Sequence, residues 1–187
     1  MLSRLILSAS LLALIAFTPA MAASASWQKL TQEAKTLESD GKYSQAEVKF
    51  KEALKLAEKS RKSDSDLARS FFNLGDCFRA EVKYKEAQEN LSHAYDLAKN
   101  INNFPPLEMS GIMNALADVD CLLQKYEEAI EIYKKEDVVL EKVHGEKSAA
   151  LVDHYDDWAL ALYALKRNDE AEQMHRKAQL ARRHAMR

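Results

Sequence analysis

Glycine and proline are scarce in this chain, with 4 and 3 among 187 residues. A protein of short strands and tight turns needs more of both, and a disordered chain carries a lower apolar share than the 47% found here. Composition therefore favours a folded, water-soluble, helix-rich molecule. An excess of positive charge is also missing. With 27 Lys and Arg against 29 Asp and Glu the formal net charge is -2, which leaves no basic surplus to neutralise phosphates and argues against nucleic acid as a partner. Cysteine is limited to Cys77 and Cys121.

Only the first 22 residues break from this composition. Arg4 supplies a short positive start, residues 5–17 an apolar run, and Ala20-Met21-Ala22 the small-x-small pattern that signal peptidase reads. An uncleaved membrane anchor needs about 20 apolar residues, and this run is interrupted by Ser8, Ser10, Thr18 and Pro19. The reading is a signal peptide over 1–22 and a mature chain of 23–187, exported to the periplasm or secreted, with no stable membrane insertion after cleavage. No cysteine near the cleavage point offers a site for lipid attachment.

Beyond that point one pattern returns four times. Ala46, Ala87, Ala129 and Ala171 are separated by 41, 42 and 42 residues, and twelve residues before each stands another small residue: Ala34, Gly75, Ala117 and Ala159. Two small residues at fixed places on successive helices are what a close helix crossing needs. In the second copy Phe71, Leu74, Gly75 and Phe78 precede Ala87 and Leu91; the other copies carry Leu30 and Phe50, Leu116 and Tyr133, and Trp158 and His175 in register.

This pattern resembles the tetratricopeptide repeat, W-x-x-L-G-x-x-Y followed by A-x-x-x-F, whose usual period is 34 residues. The longer interval is similar to that of kinesin light chain repeats. Since the twelve-residue spacing never changes, the added residues belong at the far ends of the helices and between units. The resemblance implies an all-α, right-handed α-solenoid of four helix-turn-helix units, about 27–60, 65–100, 107–143 and 147–185, forming one domain in which neighbouring units close each other's cores. Helices are expected at 27–40, 43–60, 65–81, 84–100, 107–123, 126–143, 147–165 and 168–185, with Pro105-Pro106 limiting the fifth. The turns between paired helices have Gly41 in the first unit only, then Val82, Gln124 and Lys166. The third unit puts Asp120 where an aromatic is expected and Glu136 where a third alanine is expected, and reads as the least tightly packed.

In this family the first helix of each unit lines a concave groove. Carried over by motif position, the groove takes Gln28, Thr31, Gln32, Lys35 and Glu38 from the first unit and Arg69, Phe72, Asn73, Asp76 and Arg79 from the second. The third gives Gly111, Asn114, Ala115, Asp118 and Cys121, and the fourth Asp153, Asp156, Asp157, Leu160 and Tyr163. Phe72 and Tyr163 would be apolar anchors, and the Asn73 amide could both donate to and accept from a ligand's main chain. The family's carboxylate clamp is expected to be absent, because its cationic positions hold Thr31, Gly111 and Ala115. Asp153, Asp156 and Asp157 crowd one helical turn; either Arg182, Arg183 or Arg187 neutralises them, or a basic segment of a bound polypeptide does.

Neither a second ligand cluster for a metal nor a base spaced to activate a nucleophile is visible, so no enzyme, cofactor or metal is expected. Cys77 and Cys121 lie in adjacent first helices but two motif positions apart, which favours free thiols over a bridge. The chain reads as a protein-binding scaffold, an envelope adaptor holding another protein or peptide. The alternative is a structural protein that forms a homo-oligomer by stacking its end helices.

Overall fold

The computed structural model describes residues 19–60, 64–145 and 148–185. The proposed leader lies outside the described residues as far as position 18. Eight α-helices run through the described residues: α1 (Pro19–Ser39), α2 (Tyr43–Ser60), α3 (Asp64–Ala80), α4 (Tyr84–Ala98), α5 (Pro106–Leu122), α6 (Tyr126–His144), α7 (Val152–Ala164) and α8 (Asn168–Ala185). Two boundaries differ from expectation by more than two residues. Helix α1 starts at Pro19, so the proposed cleavage point after Ala22 falls in its first turns. Helix α7 starts at Val152, preceded by one 3-10 turn (Ala149–Leu151) whose entry is capped by the Ser148 hydroxyl, which accepts from the Ala150 amide at 3.3 Å.

The turns inside the four units share one geometry. Gly41, Val82, Gln124 and Lys166 have φ of 73°, 63°, 62° and 60°. In each, the next amide reaches five residues back, as from Lys83 to the Phe78 carbonyl at 2.9 Å and from Lys125 to that of Asp120 at 2.7 Å. Left-handed residues with this bonding satisfy the last carbonyls of the first helix and reverse the chain into the second.

Each unit's two helices pack on each other, and successive units join through α2 with α3, α4 with α5, and α6 with α7. Helix α3 also touches α5, and α5 touches α7, whereas the second helices do not approach one another to the same extent. First helices therefore lie on the inside of the stack. The eight small residues of the repeat are all buried. Space is tightest at Gly75: a Cβ there would lie 2.8 Å from Leu91 Cγ and 3.1 Å from the Leu91 amide nitrogen.

The two departures from the repeat in the third unit are buried and bonded. Asp120 is buried and accepts a hydrogen bond from the Gln88 amide of α4, and Gln88 Oε1 in turn accepts from Lys125 at 2.7 Å. Glu136 is buried, accepts from Ser110 Oγ at 2.8 Å and lies 3.3 Å from His154 Nδ1 of α7. The departures from the repeat thus serve as polar links, two of them to neighbouring units.

Candidate functional site

Two cavities open on the inner face. The first, about 340 Å³, is shared by three successive first helices: Trp27, Thr31 and Lys35 of α1, Arg69, Phe72 and Asn73 of α3, and Leu107, Glu108, Gly111 and Ile112 of α5. Trp27 is fixed by an indole hydrogen bond to Ser70 Oγ at 2.7 Å, and that hydroxyl donates to the Asp66 carbonyl. Arg69 is held as a strut, its guanidinium forked onto Glu108 at 2.6 and 3.0 Å and set 5.9 Å from the Phe104 ring centre. Phe72 is half-buried against the core. Two polar groups facing this cavity lack partners: Thr31 Oγ1 is buried without a hydrogen bond, and the Asn73 amide makes none to another described residue. A buried hydroxyl left unpaired is costly, and a ligand's main chain could satisfy it and bond the Asn73 amide as well.

The second cavity, about 460 Å³, lies toward the C-terminal end. It is lined by Arg79 of α3, Asp118, Cys121 and Leu122 of α5, Tyr126 and Tyr133 of α6, and Asp157, Leu160, Ala161 and Ala164 of α7. Arg79 is engaged by Asp76 at 2.6 Å. Asp118 and Asp157 have no ion pair among the described residues; Asp118 accepts only a long hydrogen bond, 3.5 Å, from the Tyr133 hydroxyl. Burial, followed by the Asp157 charge, pushes the Asp118 carboxyl up to about 6. Burial and then Asp153 and Asp156 raise Asp157 as well. Leu160 is 66% exposed beside them. The cavity pairs apolar walls with two carboxylates that make no ion pair among the described residues, although the Arg79 charge in the same lining partly offsets the rise at Asp118.

The expected aspartate cluster divides. Asp156 is bound by Arg182 and lies 3.7 Å from His175, so the last helix neutralises it; Asp153 is exposed; Asp157 alone reaches the cavity. Arg183 is exposed, and Arg187 lies outside the described residues. Asn114 is half-buried and lines neither cavity. Tyr163 is turned to the end of the stack, donating to Glu172 of α8 at 2.8 Å, and also lines neither. Glu38 is pushed up to about 6 by burial and the nearby Asp76 charge. Both cysteines are unpaired, and burial raises Cys77 to about 12 and Cys121 to about 11, which leaves the thiols protonated and poor nucleophiles.

Motif positions did not point to Trp27, Leu107 or Glu108. Leu107 and Glu108 lie a turn before the repeat motif begins, on the length that a 42-residue unit adds to its first helix. Tyr126 and Tyr133 come from a second helix, which the carried-over positions leave out. Among the described residues no group of three His, Cys, Asp or Glu is placed to hold a metal ion, and no helix is long and apolar enough to cross a membrane.

A sequence profile described as tetratricopeptide repeat matches residues 25–100 and 108–182. No curated protein sequence matches significantly. Among solved structures, BtubC (BKLC) from P. vanneervenii aligns with a TM-score of 0.73 and 22% identity, over 88% of this chain and 72% of that one. The putative kinesin light chain TPR-like repeats of Podosopora anserina align at 0.70 and 14%, over 86% and 77%. Aspartyl phosphate phosphatase F from Bacillus subtilis aligns at 0.72 and 16%, over 85% of this chain and 40% of its own. Identities this low speak for the fold alone.

Proposed function

Because the chain belongs to the tetratricopeptide repeat family, we propose that it is an exported, non-catalytic scaffold whose inner face holds a segment of another polypeptide. One observation carries this reading. Along α1, α3, α5 and α7 the inner face presents polar groups in two cavities: the unbonded Thr31 hydroxyl and the Asn73 amide in one, the Asp118 and Asp157 carboxylates, without an ion pair among the described residues, in the other. The first offers a donor and acceptor for main chain beside Phe72. The second suits a Lys or Arg, whose stem would lie on Leu122 and Leu160 while its charge meets the two carboxylates. A basic residue set beside apolar ones is therefore the partner feature that this face favours. Export is supported by the apolar run at 5–17 and by Ala20-Met21-Ala22, and an envelope adaptor is the role that fits both features.

Self-association through the last helix has less support. The free face of α8 carries exposed Glu172, Gln173, Arg176, Gln179 and Arg183, with Leu180 the exposed large apolar residue there. Selection of displayed random peptides on the purified protein tests the binding reading. Enriched sequences should carry Lys or Arg next to apolar residues, and should be lost from the Phe72→Ala protein and from the Asp118→Asn, Asp157→Asn double variant. No enrichment, or retention by both variants, would sink it. Alkaline phosphatase fused after residue 40 tests export separately: activity in a bacterial periplasm and an N-terminus at Ala23 are expected.

A further inference from the structure

We propose that the cleft between the α4–α5 connection and α6 is a second docking site, which takes an apolar side chain and an adjacent carboxylate from a partner polypeptide. It is separate from the groove: none of its lining residues lines either inner cavity. The connection over 99–105 belongs to the length that this unit adds to a 34-residue repeat, so residues the repeat does not need build the cleft. Its volume, about 350 Å³, is sufficient for a side chain, and its apolar lining includes Ile101 and Phe104 of the connection and Val138 and Val139 of α6. Phe104 is buried and packs with Ile112 and Ala98, which gives the cleft a fixed base. Val138, at 69%, is the most exposed large apolar side chain among the described residues. It stands on a helix whose other outward positions include Glu131, Lys134, Lys135 and Lys142.

Charge identifies the occupant. Lys99 and Lys142 line the cleft and no Asp or Glu does. Lys99, just past the end of α4, pairs with Asp96 of that helix at 2.5 Å, and Lys142 has no ion pair among the described residues. A third ammonium, that of Lys135, stands 5.6 Å from the neighbouring Tyr95 ring centre. An apolar hole edged by lysines attracts a carboxylate beside the inserted side chain and repels a basic neighbour. The outer cleft and the inner groove thus select oppositely charged segments.

The test is a titration of the 15N-labelled protein with acetyl-Ser-Glu-Leu-Glu-Ser-amide and acetyl-Ser-Lys-Leu-Lys-Ser-amide, followed by NMR. The acidic peptide should shift amides within 98–109 and 138–142, saturating with a Kd of about 1 mM or tighter. Lys142→Glu should weaken it about tenfold. Val138→Asp, at a site too exposed to matter for folding, should abolish it. The proposal falls if the basic peptide binds the cleft equally well, or if the shifts lie at Thr31, Phe72 and Asp118. It also falls if neither peptide shifts these amides at about 5 mM. A dimer in sedimentation that Val138→Asp converts to monomer would assign the cleft to a second copy and overturn it.

Discussion

Three of the four intra-unit turns place a residue with a side chain where glycine sits in the first. Left-handed backbone costs a residue with Cβ roughly 1 kcal/mol or more, and a β-branched one most. Val82 is therefore the most strained of the three, and at 66% exposure it returns little by packing. Val82→Gly should raise stability by about 1 kcal/mol in urea titration, even after the entropy that glycine adds to the unfolded chain. Gly75 is the opposite case. A Cβ there must displace Leu91, including its backbone, so Gly75→Ala should lower stability by about 1 to 2 kcal/mol although alanine is the better helix former. Asp118 costs stability for another reason. Its carboxyl titrates near 6 in the fold against about 3.8 outside it, so the fold prefers the protonated form and loses stability as pH rises between these values. Asp118→Asn, which imitates that form, should raise the melting temperature at pH 7, worth about 1 kcal/mol after allowance for solvent screening. The gain should shrink as pH is lowered towards 4. An equal gain at both values would show that Asp118 is not held up in the free protein.

Between elements, the junction of α6 with α7 and α8 is polar where the repeat would place apolar residues. His154 is buried against Glu136 at 3.3 Å and Asp137 at 3.6 Å from α6, with the rings of Tyr133, Tyr155 and Trp158 around it. Asp157 lies close enough on its own helix to feel its charge. Lys177 of α8 holds Asp137 at 3.1 Å and Glu141 at 3.3 Å, and Tyr155 donates to Glu141 at 3.1 Å. Burial opposes charge on His154, but the adjacent carboxylates of Asp137 and Glu136 outweigh it and raise its pKa. Its contribution is then complete below the unfolded value of about 6.5 and is lost as pH rises through the higher folded one. Removing it leaves two buried carboxylates short of a partner, so His154→Phe should cost about 3 kcal/mol at pH 6 and less at pH 8. Adding Glu136→Ala should recover much of the loss; if the double variant is as unstable as the single, packing rather than charge decides this junction. The sequence set His154 between Asp153 and Asp156 and showed that Glu136 departed from the repeat. It could not show that the two meet, since they lie 18 residues apart on helices whose relative rotation depends on the whole stack. The same holds for Asp156: Arg182 was visible as a candidate cation, and only the packing of α8 on α7 selected it. What recurs at fixed spacing, the small residues and turns, was legible because backbone packing alone requires it.

At the scale of the whole molecule, helices touch chiefly their sequence neighbours, α3 with α4 and α4 with α5 and so on along the stack. In such a chain each unit's outer surface is the next unit's core, and stability is close to a sum of unit and interface contributions. Among the described residues the last unit packs on the third alone, and α8 carries a polar outer face. The third unit, in contrast, depends on it: Tyr133 and Leu140 of α6 join one buried cluster with Leu151, Tyr155 and Leu162, and Glu136 meets His154. A chain stopped at residue 144 would therefore lose more than its fourth unit. Its new end would expose Tyr133, Leu140 and a Glu136 deprived of His154, at a cost of several times the roughly 1.5 to 3 kcal/mol of one buried side chain. Hydrogen exchange should then show α5 and α6 deprotected while α1 to α4 keep most of their protection, because no interface of theirs has been cut. The inner groove runs across these same junctions, from α1 to α7, so a segment bound along it would tie units together that otherwise couple only pairwise. In the full chain, a peptide recovered by the groove should slow exchange in α7 as well as in α3, and slowing confined to one unit would place it in a single cavity. Uniform loss of protection from α1 to α6 on truncation would instead mean that the stack folds as one all-or-none body.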